Sequence, residues 1–479
     1  MDFRITLSPT RHLDVPANSN LLEVLRQAGF IPDAPCGGRG TCGKCKVLVD
    51  GTEVLACQTL VDRDMTVSLP QDGKASILTA GLSVQTGDTE GYRLAFDIGT
   101  TTVAGFLLQG NGTELASDSC ENPQRTYGAD VISRIQYALK TDTEVQTRMI
   151  RNCLNAMCIA LCRQVDVDPS QIEMISVVGN PAMQQLFLGI SPENLSRLPF
   201  APVLTKLETV PAKAYLPCLD KAQLMIVPNI SGFVGGDTVA CMLATGLADQ
   251  EDWTLLVDIG TNGEMVLGNK HRMVACSTAA GPALEGANIS CGMRGRIGAI
   301  DHVWADNGQL CCSVIGSTTA EGICGSGLID AAAATLELGL INERGRVQTE
   351  DHCIHITDQV TLTQDDIRQL QLAKGAIAAG VRLMAEHLEI ELEDIQQVYL
   401  AGAFGTFMDP VSACRIGLLP PELEGKITAV GNAAGSGAKL LACNEGIEAQ
   451  IQQLLDKTEF LELASVPDFQ YIFAENMQF

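Results

Sequence analysis

The stretch LAFDIGTTTVAGFLL at residues 94–108 returns as LLVDIGTNGEMVLG at 255–268, and no other feature limits the possible folds so sharply. Each copy reads as an apolar strand ending in a carboxylate, a tight turn and a second apolar strand. Asp97 and Asp258 lie 161 residues apart, which is a domain-sized period and points to a duplicated domain, not a solenoid of short repeats. One such turn alone reads equally as a plain hairpin. Two at domain spacing suit hairpins facing each other across a cleft.

The residues of these turns are suited to phosphate. A carboxylate at a strand end can hold a hydrated Mg2+, while glycine-freed N–H groups and threonine hydroxyls grip phosphate oxygens. The candidates are Asp97 with Gly99, Thr100, Thr101 and Thr102, and Asp258 with Gly260, Thr261, Asn262, Gly263 and Glu264. The expected ligand is a phosphate group with Mg2+; the resemblance given below implies that it belongs to ATP.

At 479 residues the chain exceeds the size of a single hydrophobic core, and 46% hydrophobic residues leave material for several. With 57 acidic against 32 basic residues, the net charge of -25 repels nucleic acid and anionic lipid, so partners are expected to be proteins or small molecules. The opening MDFRITLSPTRHLD lacks a basic run followed by an apolar one, and nothing later approaches the roughly 20 apolar residues of a spanning helix, so a soluble cytoplasmic protein is expected. In such a compartment the eighteen cysteines are expected to be thiols, not disulfides.

The first seventy residues differ in character. Phe3 to Leu7 alternates as a half-buried strand does; Ser19 or Asn20 can cap a short helix from Leu21 to Ala28 that Gly29 stops. Lys44–Val49 and Glu53–Cys57 flank Asp50-Gly51, a strong hairpin signal. Between helix and hairpin, APCGGRGTCGKC sets Cys36, Cys42 and Cys45 at C-x5-C-x2-C, and Cys57 follows after eleven residues. Four thiolates so placed can converge on two irons, with Gly37, Gly38, Gly40 and Gly43 letting the backbone wrap close to sulfur. The spacing resembles the [2Fe-2S] ferredoxins of the β-grasp fold. Zinc is the competing ligand, although it favours paired C-x2-C ribbons. Gly38-x-Gly40-x-x-Gly43 matches a dinucleotide fingerprint only by chance, lacking its strand and helix, and the near phosphate loop ending at Lys44 has Cys45 where Ser or Thr belongs.

Beyond Gly91, five segments occur in the order of the actin, Hsp70 and sugar-kinase superfamily, which the chain resembles over roughly 92–445. They are DIGTT at 97–101, SVVGNPAM at 176–183, DIGTNGE at 258–264, VYLAGAFG at 398–405 and GNAAGSGAKLLA at 431–442. The resemblance implies that the second and fifth are connecting helices, and that Gly402, Ala403, Phe404 and Gly405 lie in the adenosine segment. Gly325, Ser326 and Gly327 precede an Ala-rich helical run, Leu328 to Leu338, and could approach a nucleotide or simply pack closely. Lys374, within the run Leu370 to Leu388, is expected on a solvated helix face, with a place near adenine as the other reading.

The remaining cysteines have plain readings. Cys153, Cys158 and Cys162 recur through RNCLNAMCIALC as buried small hydrophobes; Cys311 and Cys312 point to opposite faces of a strand; His352, Cys353 and His355 suit a surface strand.

The expected architecture is an α+β N-terminal β-grasp ferredoxin domain (1–73), a linker (74–91) of about 18 flexible residues reaching about 20–25 Å, and a duplicated α/β actin-like, ribonuclease H-like ATPase body. The body divides into subdomains at 92–250 and 251–429, followed by a connecting helix and tail at 430–479. An iron–sulfur domain fused to such a body resembles the reductive activators of corrinoid proteins, as do the runs NPQRTYGADVISRI, AGPALEGANISCGMRG and GICGSGLIDAA. That resemblance implies an ATP-hydrolysing iron–sulfur reductase that returns Co(II) corrinoid to Co(I) in a methyltransferase system. Longer members carry an extra segment between ferredoxin and body, which leaves homodimer formation and partner choice open here. The chain has no Asp-x-His-x-x-Gly segment of the kind that ligates cobalt, and no flavin or nicotinamide site. The corrinoid is therefore expected on a partner protein, and electrons from a separate ferredoxin, flavodoxin or reductase. Two other functions fit the same parts: an ATP-driven activator of a non-corrinoid enzyme, and a nucleotide-sensing electron-transfer ferredoxin.

Overall fold

The structure is a computed structural model that describes residues 2–8, 11–27, 45–68, 80–83, 90–128, 130–260, 262–286, 288–444 and 446–479. Cys36, Cys42, the glycines around them, Thr261 and most of the linker lie outside the described residues, as does the side chain of Ala403.

The N-terminal domain is a five-stranded sheet with a short helix. Strands β1 (Asp2–Ser8), β2 (Arg11–Pro16), β3 (Lys46–Val49), β4 (Thr52–Leu55) and β5 (Met65–Ser68) take the order β2-β1-β5-β3-β4, with β1 and β5 parallel. Alternation along β1, β3 and β5 sends Ile5, Val47, Val49, Met65 and Val67 into one core with Leu21, Leu22 and Leu25 of α1 (Leu21–Gln27). The Asp50-Gly51 turn forms as expected, both residues at positive φ (51° and 82°), which matches the twist of the flanking strands.

The body contains two sheets built to one plan. The first comprises β6 (Tyr92–Ile98), β7 (Thr102–Gln109), β8 (Glu114–Glu121), β9 (Ile172–Gly179), β10 (Glu208–Pro211) and β11 (Gln223–Ile226), in the order β10-β11-β9-β6-β7-β8. Its helices are α2 (Val131–Lys140), α3 (Glu144–Gln164), α4 (Pro181–Leu188) and α5 (Gly236–Thr245). The second opens with β12 (Trp253–Ile259), β13 (Gly263–Gly268) and β14 (Met273–Thr278). An inserted small sheet, β15 (Ala299–Asp306), β16 (Gln309–Val314) and β17 (Gly322–Ile323), then leads to α6 (Gly325–Glu337). A hairpin of β18 (Cys353–His355) and β19 (Thr361–Thr363) precedes the long α7 (Gln364–Leu388). The second sheet is completed by β20 (Ile395–Ala401) and β21 (Ile427–Gly431), with α8 (Gly402–Gly405), α9 (Pro410–Arg415), α10 (Ala433–Cys443) and α11 (Ile447–Lys457) around them. Its order is β21-β20-β12-β13-β14-β22, where β22 (Thr458–Phe460) pairs parallel with β14. In both sheets an antiparallel three-strand meander carries a parallel neighbour on its first strand: β9 on β6, β20 on β12.

Four details depart from the sequence reading. The second of the five segments is not a connecting helix. α4 is capped by Asn180, stopped by Gly189 at φ +76°, and buries Ala182, Met183, Leu186 and Phe187 in the first subdomain's own core. The helix that meets α10 is α5: Val239, Ala240, Cys241 and Met242 share a core with Ala438 and Leu441. A Cβ built at Gly437 would stand 2.0 Å from the Ala240 carbonyl oxygen, so the two helices touch backbone to backbone. The segment after α10 is not a tail. Besides β22, α12 (Phe469–Asn476) packs on α7, and the carbonyls of Met477 and Gln478 accept from Gln371 (2.8 Å) and Lys374.

Lys374 is accordingly buried, not solvated; its ammonium faces the Phe479 ring at 5.4 Å, and burial, with Arg382 nearby, lowers its pKa to about 7. Fourth, residues 80–83 of the linker lie against the start of α10. Among the described residues no helix is long and apolar enough to cross a membrane.

Candidate functional site

Asp97 is the next-to-last residue of β6 and Asp258 of β12, the same place in the two sheets. Asp258 stands opposite Glu264 in the antiparallel register, so both carboxylates share one face of the sheet, where like charges repel. Asp237, in the first turn of α5, joins them from the other subdomain, and Cys241 one turn later sets its thiol 3.9 Å from Asp258 Oδ2. Asp97, Asp237, Asp258 and Glu264 lie deep in the molecule, yet each keeps part of its surface open to the cleft.

Their acidities record this crowding. Burial, with Asp258 nearby, pushes Asp97 up to about 7 against the opposing bond from Asn432. Burial and the charges of Asp258 and Asp97 push Asp237 up to about 7. Burial lifts Asp258 to about 6, and burial with Asp237 and Asp258 raises Glu264 well above the ordinary carboxylate range. Among the described residues no three ligating side chains converge on one point.

The first turn is held from behind. Three successive carbonyls are engaged: Gly99 O accepts from Asn122 Nδ2 at 2.8 Å, Thr100 O from Arg134 Nη2 at 2.5 Å, and Thr101 O from the Asn122 N–H at 2.9 Å. Arg134 is fully buried, and its Nε also donates to Gly128 O at 2.9 Å. The hydroxyl of Thr100 accepts from Asn180 at 3.0 Å, while that of Thr101 donates across the cleft to Glu285 at 3.2 Å. A second bridge across the cleft joins Arg294 to Glu121 at 2.5 Å. Thr102 opens β7, and the Gly99 backbone passes so close to Thr102 O that a Cβ would stand 2.8 Å away.

At the second turn the Gly260 N–H donates to Asn262 O at 3.0 Å, and Asn262 also bonds Glu264. Gly263 packs under Thr278. Gly402 begins α8 at φ +85° with its Cα beside Asp258, so the expected adenosine segment does meet the second turn. Phe404 lies against Gly325, while Gly405 packs on Leu400. A Cβ at Gly325 would stand 1.9 Å from Leu284 O, one at Gly327 2.4 Å from Ile300 O, and the Ser326 hydroxyl is used by Asp301 O at 2.9 Å. All three residues are buried and closely packed.

Asp237, Arg134, Asn180, Glu285 and Asn432 were not singled out from the sequence. Gly-Gly-Asp ahead of the apolar run VACMLA was a legible signal for Asp237. The others act by contacts between distant segments, which spacing does not reveal.

In the N-terminal domain, Cys45 is buried and Cys57 half-buried. The Cys57 N–H donates to Cys45 Sγ at 3.4 Å, and Asn20, which also caps α1, donates to Cys57 O at 2.9 Å. A backbone donor aimed at a sulfur suits a cluster ligand. Elsewhere Cys158 and Cys162 are buried as expected, whereas Cys153 lies 3.3 Å from Cys120, sulfur to sulfur.

Residues 5–67 match the 2Fe-2S iron-sulfur cluster binding domain, 92–250 the RACo middle region, and 252–479 the C-terminal domain of RACo, the ASKHA domain. The chain is 32% identical to the corrinoid activation enzyme RamQ of Eubacterium limosum, over 98% of this chain and 97% of that one. That alignment runs over 585 residues, more than the 479 here, so the relative holds residues without counterparts in this chain. A [Co(II) methylated amine-specific corrinoid protein] reductase of Methanosarcina barkeri is 28% identical over 71% of this chain and 68% of its own. The solved structure of a reductive activator for a corrinoid, iron-sulfur protein superposes with a TM-score of 0.72 at 28% identity, covering 99% of this chain and 98% of that one. The iron–sulfur domain, the paired sheets with their facing turns and this end-to-end similarity together place the chain in the family of RACo-type reductive activators of corrinoid proteins.

Proposed function

We propose that this protein binds and hydrolyses Mg·ATP between its two sheets and uses the resulting movement to deliver one electron from an N-terminal [2Fe-2S] cluster to the Co(II) corrinoid of a partner protein, giving Co(I) in the cytoplasm. The observation that carries this reading is the joining, in one chain, of an iron–sulfur domain to two facing phosphate turns. A one-electron carrier has no need of a hinged ATPase unless the electron's destination is uphill.

The cluster would supply one electron at a potential near about −400 mV. Each 59 mV of remaining gap costs about a factor of ten in a one-electron equilibrium. Cys36, Cys42, Cys45 and Cys57 are its proposed ligands, and a separate ferredoxin, flavodoxin or reductase its electron source. Asp97, Asp237 and Asp258 would hold the hydrated Mg2+. Engaged carbonyls at Gly99–Thr101 leave the first turn to offer N–H and hydroxyl groups to phosphate, with Gly260–Glu264 facing it. Gly402–Gly405 and Phe404's neighbour Gly325 would border the nucleoside. Thr101–Glu285 and Glu121–Arg294 already span the cleft. Nucleotide would compete for the Thr101 hydroxyl, so binding and the relative position of the subdomains are linked. Such coupling requires that the corrinoid protein bind the two positions with different affinity.

ATP turnover with and without Co(II) corrinoid protein tests the reading. The expected result is hydrolysis that the partner stimulates and that Asp97→Ala or Asp258→Ala abolishes, with the cluster spectrum intact. Unchanged turnover in both variants would show that nucleotide acts elsewhere.

A further inference from the structure

Residues 80–83 of the linker lie against the body. Ala80 O accepts from the Asn432 N–H at 2.8 Å, and the Ser436 hydroxyl shares its one proton between Asn432 O at 3.0 Å and Leu82 O at 3.3 Å, so residues 80–83 form a strap seated on the first turn of α10. Only glycines permit so close an approach. A Cβ at Gly81 would stand 2.3 Å from Ser436 Oγ and 2.6 Å from Asn432 O; one at Gly431, where φ is +64°, would stand 2.4 Å from Ala80 O. Asn432 faces three ways. Its Oδ1 accepts from the Gly435 N–H at 2.5 Å and caps α10; its N–H holds the strap; its Nδ2 donates to Asp97 Oδ2 at 3.1 Å.

We propose that Asn432 is a positioning residue that ties the Asp97 carboxylate of the nucleotide cleft to the linker strap, so that the state of the cleft sets whether the strap is seated and how far the ferredoxin domain can reach. This rests on reading the cleft as the ATP site. The helix that Asn432 caps packs on β6, β7 and β9 of the first sheet, so Asn432 stays beside Asp97, and a nucleotide-bound cation drawing on the Asp97 carboxylate competes with the Asn432–Asp97 bond and, through the same residue, acts on the bond to Ala80. With the strap seated, eleven residues separate Ser68 from Ala80; released, twenty-three separate Ser68 from Tyr92. Chains of those lengths span at most about 40 Å and about 80 Å when fully extended. Seating therefore decides which docking positions the cluster can attain.

The test is hydrogen–deuterium exchange over residues 80–83 and 431–436 of the full chain, with and without Mg·ATP, alongside ATP turnover and Co(I) formation. Wild-type protein should show nucleotide-dependent exchange in both segments. Asn432→Ser keeps a capping oxygen but cannot reach Asp97; its kcat should fall about tenfold with KM within about threefold, and the exchange should no longer respond to nucleotide. Gly81→Ala, remote from the cleft chemistry, should leave ATP turnover within about twofold, while both segments exchange fast in either state and Co(I) formed per ATP falls about tenfold. Asn432→Ser with normal turnover and a normal exchange response would overturn the proposal, as would Gly81→Ala with wild-type Co(I) yield. A wild-type protein that hydrolyses ATP without altering exchange would sink this inference alone; one that binds no ATP would sink the functional reading beneath it.

Discussion

Asp97, Asp237, Asp258 and Glu264 gather where burial and mutual repulsion oppose their charged forms, so the cleft is a place of built-in instability at neutral pH. Because the folded acidities of Asp97, Asp237 and Asp258 lie above the ordinary carboxylate value, the folded state binds more protons than the unfolded one between about pH 4 and 7. Their contribution to stability is fully present below about pH 4 and is lost as the pH rises through 6 to 7. In chelator, the body's Tm should fall over that interval, and Mg·ADP should raise it more at pH 8 than at pH 5; a Tm independent of pH between 5 and 8 would contradict the assigned acidities. Asp237→Asn removes one like charge. It should raise the Tm of the nucleotide-free protein at pH 8, by on the order of 1–3 kcal/mol of stability, while lowering ATP turnover by about 100-fold. Asp97 and Asp258 were legible because each closes an apolar strand in a repeated pattern. Asp237 was harder to see because its partners lie in other segments, and Asn432 because its role depends on a contact 335 residues away along the chain.

The first hairpin of each body sheet was readable from the repetition of its apolar strands, and the hairpin at Asp50-Gly51 from turn chemistry. The pairing of helices was not. α4 and α5 are both short apolar runs after glycine, and only three-dimensional packing tells that α5 crosses α10 while α4 folds back on its own sheet. Gly437 is the point of contact. Gly437→Ala should force the helices apart, costing about 1–3 kcal/mol and, because α5 carries Asp237 and Cys241 to Asp258, depressing ATP turnover; thermal melts and steady-state hydrolysis measure both, and a variant normal in each would show that the crossing is not tight. Lys374 likewise reads as a surface lysine in sequence, since nothing local signals that the C-terminal residues return to cover α7.

In the proposed function, two machines with separate chemistries act as one. Cys42→Ala should abolish the visible absorption of the iron–sulfur domain and leave ATP hydrolysis without corrinoid protein unchanged; a protein that keeps its colour, or that binds zinc at one per chain, would remove the electron carrier from the account. The most direct measurement reduces the cluster anaerobically, adds Co(II) corrinoid protein and follows Co(I) absorption with ATP, without ATP, and with ATP in the Asp258→Ala variant. Energy coupling predicts extensive Co(I) formation only in the first case; rapid and complete Co(I) formation without nucleotide would contradict it and leave a plain electron carrier.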